Sequence, residues 1–328
     1  MAEPAPTPVG PTALAPDVPG SVITVGTFDG VHRGHADVLR ELDRRARAAG
    51  LRSVLVTFAA HPLETLRPDD APLLLTPGVE KYEALAGAPV HIDRVVSLPF
   101  TPSLAALAAE QFVVDVLLRR YNMRELLVGH DHGFGRGRAG DAALLQALGA
   151  EHDFAVDVVP PTTSPNGAVS SSAARDAVRN GDLARASELL GRPYGLRGHV
   201  VRGDQRGRTL GFPTLNIRPA GARKLLPPDG VYAVGVHLPD GERAGMLNLG
   251  ARPTVGDAAR SIEVHVFDAS ADWYDAPVGI TFAARLRDVR RFDGLDALRA
   301  QLARDASAAR AALANGRAGS VDPSAGYR

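Results

Sequence analysis

Apolar and polar positions follow two different periods along the chain, and the change falls near residue 190. Before that point, short apolar runs alternate with stretches of helical period, which predicts strands alternating with helices. Strands are predicted at 21–26, 52–58, 93–100, 124–129 and 154–160, and helices at 36–50, 79–87, 103–121, 142–152, 171–180 and 182–191. Gly50 is typical of the left-handed residue that ends a helix, and Asp182 of an N-cap. Strand–helix alternation predicts a parallel sheet with helices on both faces.

The helical period is absent from about residue 196 to residue 288. Strands separated by Gly, Pro and Asp turns are predicted at 195–203, 230–238, 243–250, 261–268 and 278–286. This pattern predicts a small antiparallel β-barrel. Apolar residues spaced for one buried face then predict a final helix from about Leu295 to Ala312.

The 328 residues are enough for two domains with a tail at each end. Residues 1–19 are rich in Pro and Ala and lack periodicity, so we expect a disordered tail there and a flexible tail at 313–328. Between the tails, the change of period divides the chain into a first domain at 20–190 and a second at 191–312.

Charge and composition narrow the class of protein. Lys+Arg and Asp+Glu both total 37, so the zero net charge gives no reason to expect a partner that is a nucleic acid or a membrane surface. The absence of cysteine excludes disulfides and thiolate metal sites. The sequence has neither a signal-peptide pattern nor an apolar run of membrane-spanning length. We therefore expect a cytoplasmic protein, and a monomer is compatible with the sequence.

A glycine- and histidine-rich string joins the first predicted strand to the first predicted helix. It reads G-T-F-D-G-V-H-R-G-H, from Gly26 to His35. A helix start favours phosphate, and two imidazoles there could hold charge that develops on a triphosphate. Taken alone, the string could also be a simple turn with two core histidines. The predicted catalytic histidines are His32 and His35, and the predicted ATP- or phosphate-binding residues are Gly26, Thr27, Phe28, Asp29, Gly30 and Gly34.

This string resembles the signature of the nucleotidylyltransferase superfamily, and within it the FAD synthetase branch, with Thr27 where Asn is usual. The run Val169–Arg175 resembles the second signature of that superfamily. The resemblance implies a Rossmann-like domain in which Ser170 and Ser171 bind phosphate and Arg175 carries positive charge to the triphosphate. It also implies that FMN and ATP are converted to FAD with release of pyrophosphate.

Two more strings are similar to the same branch, T-F-A-A-H-P at 57–62 and the glycine-rich run at 129–141. They depart from it at Ala60 and His132. The resemblance implies that three residues in these strings line the flavin and adenine pockets, namely Phe58, Asp131 and Phe134.

The second predicted domain opens with a glycine-rich string at 198–216, which lacks the Walker pattern. It closely resembles the riboflavin kinase signature. The resemblance implies that Thr214 and Asn216 hold the Mg²⁺ that bridges the phosphates of ATP, and neutral oxygens suit that hard cation. The predicted ATP-binding residues in this string are Gly198, Val200, Gly203, Gly207 and Arg208.

The strings 248–256, 261–268 and 285–293 are similar to later parts of the same family. The resemblance implies that Glu263 is the general base for riboflavin's 5′-hydroxyl and that Arg285 and Arg287 close over the flavin. An inward Glu on a barrel strand must be paired or functional, because an unpaired buried carboxylate is costly. A Glu on a solvated face is the alternative.

The order of the two signatures is typical of bacterial bifunctional flavin-cofactor synthesis. We therefore expect riboflavin to become FMN in the second domain, and FMN to become FAD in the first, with ATP and Mg²⁺ used. One alternative is a transferase for another phosphorylated substrate with an unrelated β module. Another is a flavin-binding kinase whose adenylyltransferase is impaired, which the unusual Thr27, Ala60, His132 and Ser172 would fit.

Overall fold

The structure, a computed structural model, describes residues 19–129, 140–203, 210–251, 260–269, 271 and 273–319. The chain divides into two compact units, the first ending at Ser171 and the second beginning at Ser172. Several predictions fall outside the described residues, namely the tail at 1–18 and the site residues Asp131, Phe134, Gly207 and Arg208.

The first unit is built on a five-stranded sheet in which every neighbouring pair of strands is parallel. Its strands, in the spatial order β3-β2-β1-β4-β5, are β1 (Ser21–Val25), β2 (Arg52–Phe58), β3 (Arg94–Leu98), β4 (Met123–Gly129) and β5 (Ala155–Val159). The direction of strand progression reverses between β1 and β4. In open parallel sheets, ligands bind beyond the carboxyl ends of the strands at such a reversal. The string that follows β1 lies at that edge.

Helices surround this sheet. They are α1 (Arg33–Ala49), α2 (Pro62–Leu66), α3 (Val79–Ala86), α4 (Pro102–Ala106), α5 (Ala109–Gln111), α6 (Arg119–Tyr121) and α7 (Ala142–His152). A 3₁₀ turn covers Pro68–Asp70, and a short hairpin pairs β6 (Thr163–Ser164) with β7 (Gly167–Ala168). Gly50 ends α1 with φ 63°, as predicted. The parallel sheet with helices predicted from the sequence is confirmed.

One predicted helix is not continuous. Leu107 is extended, with ψ 134°, and ends α4, while Phe112–Leu118 forms a π-helix between α5 and α6. The wide turns place Phe112, Val113 and Val116 in the core of the first unit. The prediction of one straight helix over 103–121 was therefore wrong, because packing against the sheet overrides the local period.

The second unit is a closed barrel preceded by two helices. Its helices are α8 (Ser171–Arg179), whose first residue belongs to the first unit, and α9 (Leu183–Leu190). The antiparallel strands close in the order β10-β11-β12-β9-β8-β13, with β8 (Gly195–Val201), β9 (Leu215–Pro219), β10 (Gly230–Leu238), β11 (Gly241–Ala251), β12 (Arg260–Val266) and β13 (Pro277–Arg287). The predicted barrel is confirmed, and β9 is a strand that the sequence did not predict.

The last helix, α10 (Leu295–Gly319), covers part of the outer wall of the barrel and continues beyond the predicted end at Ala312. It packs Ala309 against Ala233 of β10 and Met246 of β11. Asp182 caps α9 by accepting the N–H of Arg185 at 2.9 Å, as predicted. No helix within the described ranges is both long and apolar enough to cross a membrane.

Candidate functional site

After β1 the chain turns, and α1 begins at the carboxyl edge of the sheet. His32 is the N-cap of α1, and its Nδ1 accepts the backbone N–H of His35 at 3.2 Å. Helix geometry leaves the N–H groups of Arg33 and Gly34 without an intrahelical acceptor. Those two donors and the positive end of the helix dipole make this edge suitable for a phosphate.

The two predicted catalytic histidines lie face to face. Their rings stack with centroids 3.6 Å apart and planes at 17°, and the ring of Phe28 lies 4.6 Å from that of His35. Because the Nδ1 of His32 accepts a hydrogen bond, the proton of the neutral ring sits on Nε2. His32 can therefore donate that N–H to an anionic oxygen.

Three residues of the predicted phosphate turn make hydrogen bonds to other parts of the protein. The carboxylate of Asp29 is buried and accepts the N–H groups of Leu75 and Thr76 at 3.1 and 3.0 Å. The N–H of Gly30 donates to the Thr76 hydroxyl at 2.8 Å, and the N–H of Gly26 donates to a carbonyl of β2 at 3.0 Å. These groups shape the turn, and the predicted ATP- or phosphate-binding roles of Asp29, Gly30 and Gly26 stay predictions.

The positions of Gly26 and Gly34 leave little room for a side chain, and Thr27 bonds through its backbone. A Cβ on Gly26 would lie 3.0 Å from the Phe28 ring, and one on Gly34 would lie 3.2 Å from the His32 ring. The carbonyl of Thr27 accepts the hydroxyl of Thr57 at 3.2 Å. These positions keep the aromatic rings packed against the turn.

The second signature is joined to the same turn. The hydroxyl of Ser171 donates to the backbone carbonyl of Asp29 at 2.9 Å, and Ser170 is half-buried beside it in sequence. Arg175 follows on α8, and its side chain is buried. The structure thus brings Ser171 to the histidine-bearing turn, and the phosphate roles of Ser170, Ser171 and Arg175 stay predictions.

Phe58 ends β2 at the same edge of the sheet. It is 8% exposed and meets Phe100 edge-on, with centroids 5.1 Å apart. Its carbonyl accepts the ammonium of Lys81 at 2.7 Å. Phe58 therefore lies at the carboxyl edge of the sheet with its ring mostly packed inside the protein, and its flavin contact stays a prediction.

The barrel carries its candidate base on the outer wall. Ile262 and Val264, on either side of Glu263, are buried in the barrel interior, whereas Glu263 shares the face that Met246 and Ala233 present to α10. The prediction of an inward Glu263 was wrong, because strand alternation alone does not tell which face is the interior when a helix covers the outside.

Glu263 stands between two amide side chains. It pairs directly with Asn248 of β11 and with Asn216 of β9, so the three residues form a row across three strands. Glu263 is half-buried, and within the described part of the chain its carboxylate makes no hydrogen bond or ion pair. A carboxylate placed in this way is available to accept a proton from a bound hydroxyl.

Thr214 and Asn216 fit a divalent cation that also binds phosphate. Asn216 lies directly opposite Glu263, and Thr214 lies two residues earlier, just before β9 begins at Leu215. Asn216 is 8% exposed and packs against Gly203, where an added Cβ would collide with the amide. The described residues contain no group of three His, Cys, Asp or Glu side chains that could hold a metal. Neutral oxygens together with phosphate oxygens are the ligands that suit Mg²⁺ here.

Two residues predicted to bind ATP belong to the hydrogen-bond ladder of the barrel. The N–H of Val200 donates to the carbonyl of Ala276 at 3.0 Å, and its side chain is fully buried. Gly198 pairs with strands on both sides, and a Cβ there would lie 2.5 Å from the carbonyl oxygen of Arg218. Both residues therefore have structural roles, and their ATP contacts stay predictions.

The two predicted flavin-closing arginines already have partners. Arg285 donates to the carbonyl of Asp229 at 2.7 Å and to the carboxylate of Asp288 at 2.6 Å. Arg287 pairs with the buried Asp305 of α10, with Nη2 at 2.6 Å from the carboxylate. Their flavin contacts stay predictions, and Arg287 has a structural role besides.

Sequence reasoning assigned no role to Asn248 or Thr76. Asn248 gave no local signal, because it comes to lie opposite Glu263 only through the pairing of β11 with β12. Thr76 gave no local signal, because its partner Asp29 is distant in sequence.

Comparisons with known proteins cover both units. A family model for FAD synthetase matches residues 15–173, and one for riboflavin kinase matches residues 190–313. The chain is 41% identical over 295 residues to a bifunctional riboflavin kinase/FMN adenylyltransferase of Escherichia coli (strain K12), covering 89% of this chain and 92% of that relative. It is 38% identical over 302 residues to a protein of the same name from Pseudomonas fluorescens, covering 92% and 96%.

A solved structure is similar over most of the chain as well. It is described as a macrolide-efflux protein from Streptococcus pneumoniae, and it matches with a TM-score of 0.81 and 32% identity over 91% of this chain and 95% of that one. That match supports the fold of both units. The two family models and the identity over nearly the whole length agree, and the chain belongs to the family of bifunctional riboflavin kinases/FMN adenylyltransferases.

Proposed function

We propose that this chain makes both flavin cofactors, using residues 191–312 to phosphorylate riboflavin and residues 20–190 to adenylylate FMN. The proposal is supported by two separate constellations, a histidine pair at a helix start and a carboxylate between two asparagines. Riboflavin kinases and FAD synthetases use ATP, typically with a divalent metal. Each constellation accounts for one of the two reactions.

In the kinase reaction, Glu263 accepts the proton of riboflavin's 5′-hydroxyl as its oxygen attacks the γ-phosphorus of ATP. ADP leaves, and FMN is formed. Thr214 and Asn216 would hold Mg²⁺, which when bound neutralises charge on the phosphates. Asn248, directly opposite Glu263, can orient the hydroxyl by hydrogen bonding. Positioning and charge stabilisation suffice for this chemistry.

In the adenylyl transfer, a phosphate oxygen of FMN attacks the α-phosphorus of ATP, and pyrophosphate leaves. The open N–H groups of Arg33 and Gly34 and the Nε2–H of His32 can donate to the phosphate oxygens that gain charge. His35, stacked on His32, lies at the same helix start. Ser170, Ser171 and Arg175 would bind the remaining phosphates.

The observation that carries the proposal is the half-buried Glu263, whose carboxylate has no hydrogen bond or ion pair among the described residues and which lies in register with Asn216 and Asn248 on one wall of the barrel. Purified protein incubated with riboflavin, ATP and Mg²⁺ should form FMN and then FAD, and chromatography of samples taken over time measures both products. A second reaction with FMN and ATP labelled at the α-phosphorus should move the label into FAD and release pyrophosphate. FMN without FAD would indicate the impaired adenylyltransferase instead.

A further inference from the structure

The turn between β1 and α1 has a backbone conformation that is unfavourable by itself. Phe28 and Val31 have φ of 48° and 40°, in the left-handed region, and Gly30 has φ of 85°. This region is unfavourable for a non-glycine residue, and a β-branched residue such as Val31 is especially disfavoured there. Contacts from outside the turn must therefore hold it.

Thr76, just before α3, supplies such contacts. Its hydroxyl accepts the N–H of Gly30 at 2.8 Å and lies 3.4 Å from the carboxylate of Asp29, which also accepts the Thr76 N–H. Thr76 is 6% exposed and Asp29 is 2% exposed. One hydroxyl thus connects the backbone and a side chain of the turn to a segment remote in sequence.

Lys81, in the first half of α3, adds a buried charge behind the same turn. Its ammonium donates to the carbonyl of Phe58 at 2.7 Å, and the side chain is buried. Burial lowers the pKa of Lys81, and the carboxylates of Asp29 and Glu64 act in the opposite direction. The ammonium therefore holds the end of β2, the strand whose Thr57 hydroxyl and Val56 carbonyl also bond to the turn.

We propose that Thr76 and Lys81 are positioning residues for the adenylyl transfer, Thr76 by holding the Phe28–Val31 turn and Lys81 by fixing the end of β2 beside that turn through the carbonyl of Phe58. The proposal rests on the proposed function. Neither side chain contacts the reacting atoms, since both are enclosed by the protein. They act through the placement of His32 and of the open N–H groups at the start of α1.

Thr76→Val keeps the shape of the side chain and removes its hydroxyl. With FMN supplied directly, we expect the KM for ATP to rise about 10-fold, because the turn loses two hydrogen bonds that fix it. Thr76→Ser, which keeps the hydroxyl, should restore a KM within about 2-fold of wild type. Riboflavin phosphorylation by the same chain should be unchanged in both variants.

Ser53→Ala is the matched control. The Ser53 hydroxyl likewise accepts a backbone N–H, that of Asp93 at 2.9 Å, and donates to the Asp93 carboxylate at 2.8 Å. It lies near the amino end of β2, at the opposite edge of the sheet from the turn. Its loss should lower stability as much as Thr76→Val does while leaving the KM for ATP unchanged. If the first unit were merely destabilised in general, the KM for ATP would rise in Ser53→Ala as well as in Thr76→Val.

Lys81→Met tests the charge separately. We expect a rise in the KM for ATP of about 10-fold, because the carbonyl of Phe58, at the end of the strand beside the turn, then loses its charged donor. Lys224→Met, which removes a buried lysine that lies over Tyr194 in the second unit, should leave this KM unchanged.

The outcomes separate the proposal from the proposed function. If the wild-type chain forms no FAD from FMN and ATP, the proposed function fails. If it forms FAD but Thr76→Val has the wild-type KM and kcat, or if Thr76→Ser loses as much as Thr76→Val, the positioning role is wrong. Should Thr76→Val not fold, Lys81→Met decides, and a wild-type KM for ATP in that variant overturns the proposal.

Discussion

The backbone N–H of His35 donates to Nδ1 of His32 at 3.2 Å, while the two imidazole rings stack 3.6 Å apart. His32 therefore caps the start of α1 through Nδ1 and carries the proton of its neutral ring on Nε2. Capping and chemistry are combined in one side chain, which means that a substitution can be chosen to separate them.

His32→Asn should keep the helix start and remove the imidazole. Asparagine is a favourable N-cap whose oxygen can accept the N–H of His35, so the free energy of unfolding should change by less than about 1 kcal/mol. Adenylylation of FMN should fall about 10²-fold, because a donor to the phosphate oxygens is lost. Steady-state kinetics and urea unfolding of the same preparation measure both. If His32→Asn formed FAD at the wild-type rate, the role of His32 would be limited to capping the helix.

His35→Ala should abolish FAD formation, with a loss of at least about 10²-fold, and leave FMN formation intact. His35 is the third residue of α1, and the His32 cap accepts its backbone N–H, so removing the His35 side chain leaves that hydrogen bond in place. Chromatography of a reaction started from riboflavin gives both rates in one experiment, and accumulated FMN is the expected result. An unchanged yield of FAD would refute the role of His35.

The first site shows what the sequence could and could not predict. The strand, the turn and the helix were predicted because glycines, histidines and apolar period coincide over one short string. The hydrogen bonds from Thr76 to the Asp29 carboxylate and from the Gly30 N–H to Thr76 were not predicted. Thr76 comes near the turn only through the folding of the segment between β2 and α3. Local strings predict local geometry, and long-range hydrogen bonds need the fold.

Glu263→Gln should lower FMN formation by about 10²–10⁴-fold, because the amide keeps the shape of the side chain but cannot accept the proton. Adenylylation of added FMN should be unaffected. Initial rates with riboflavin, and separately with FMN, measure the two reactions. FMN formation at the wild-type rate would exclude Glu263 as the base.

The barrel wall explains why one orientation was predicted wrongly. Ile262, Glu263 and Val264 alternate in polarity as expected for a strand with one buried face. The sequence placed Glu263 inside because it gave no account of what covers the outside. The outer face is itself partly covered by α10, which packs Ala309 on Met246, so it too can shelter a carboxylate.

Gly203→Ala should reduce the kinase reaction about 10²-fold, because the new methyl group collides with the amide of the buried Asn216 and displaces it. Gly235→Ala, on β10, is the control, since its nearest neighbour would lie at an ordinary 3.5 Å. The Mg²⁺ dependence of FMN formation should shift to higher concentration only in Gly203→Ala. An equal effect of both substitutions would mean that the barrel, and not Asn216, is being disturbed.

Asp305 and Arg287 should act on stability as one unit. The carboxylate of Asp305 is 4% exposed and accepts Nε and Nη2 of Arg287, and Gln301 donates to it at 2.7 Å. Removing it in Asp305→Leu leaves a mostly buried guanidinium without its partner, which should cost about 3 kcal/mol of unfolding free energy. The double substitution Asp305→Leu with Arg287→Met should recover most of that loss, because an apolar pair replaces the ion pair at low cost. Guanidinium unfolding measures the stability, and the KM for riboflavin tests the flavin contact. If the double variant regains stability but not the wild-type KM, Arg287 contacts the flavin as well as α10; if it regains both, its role is structural.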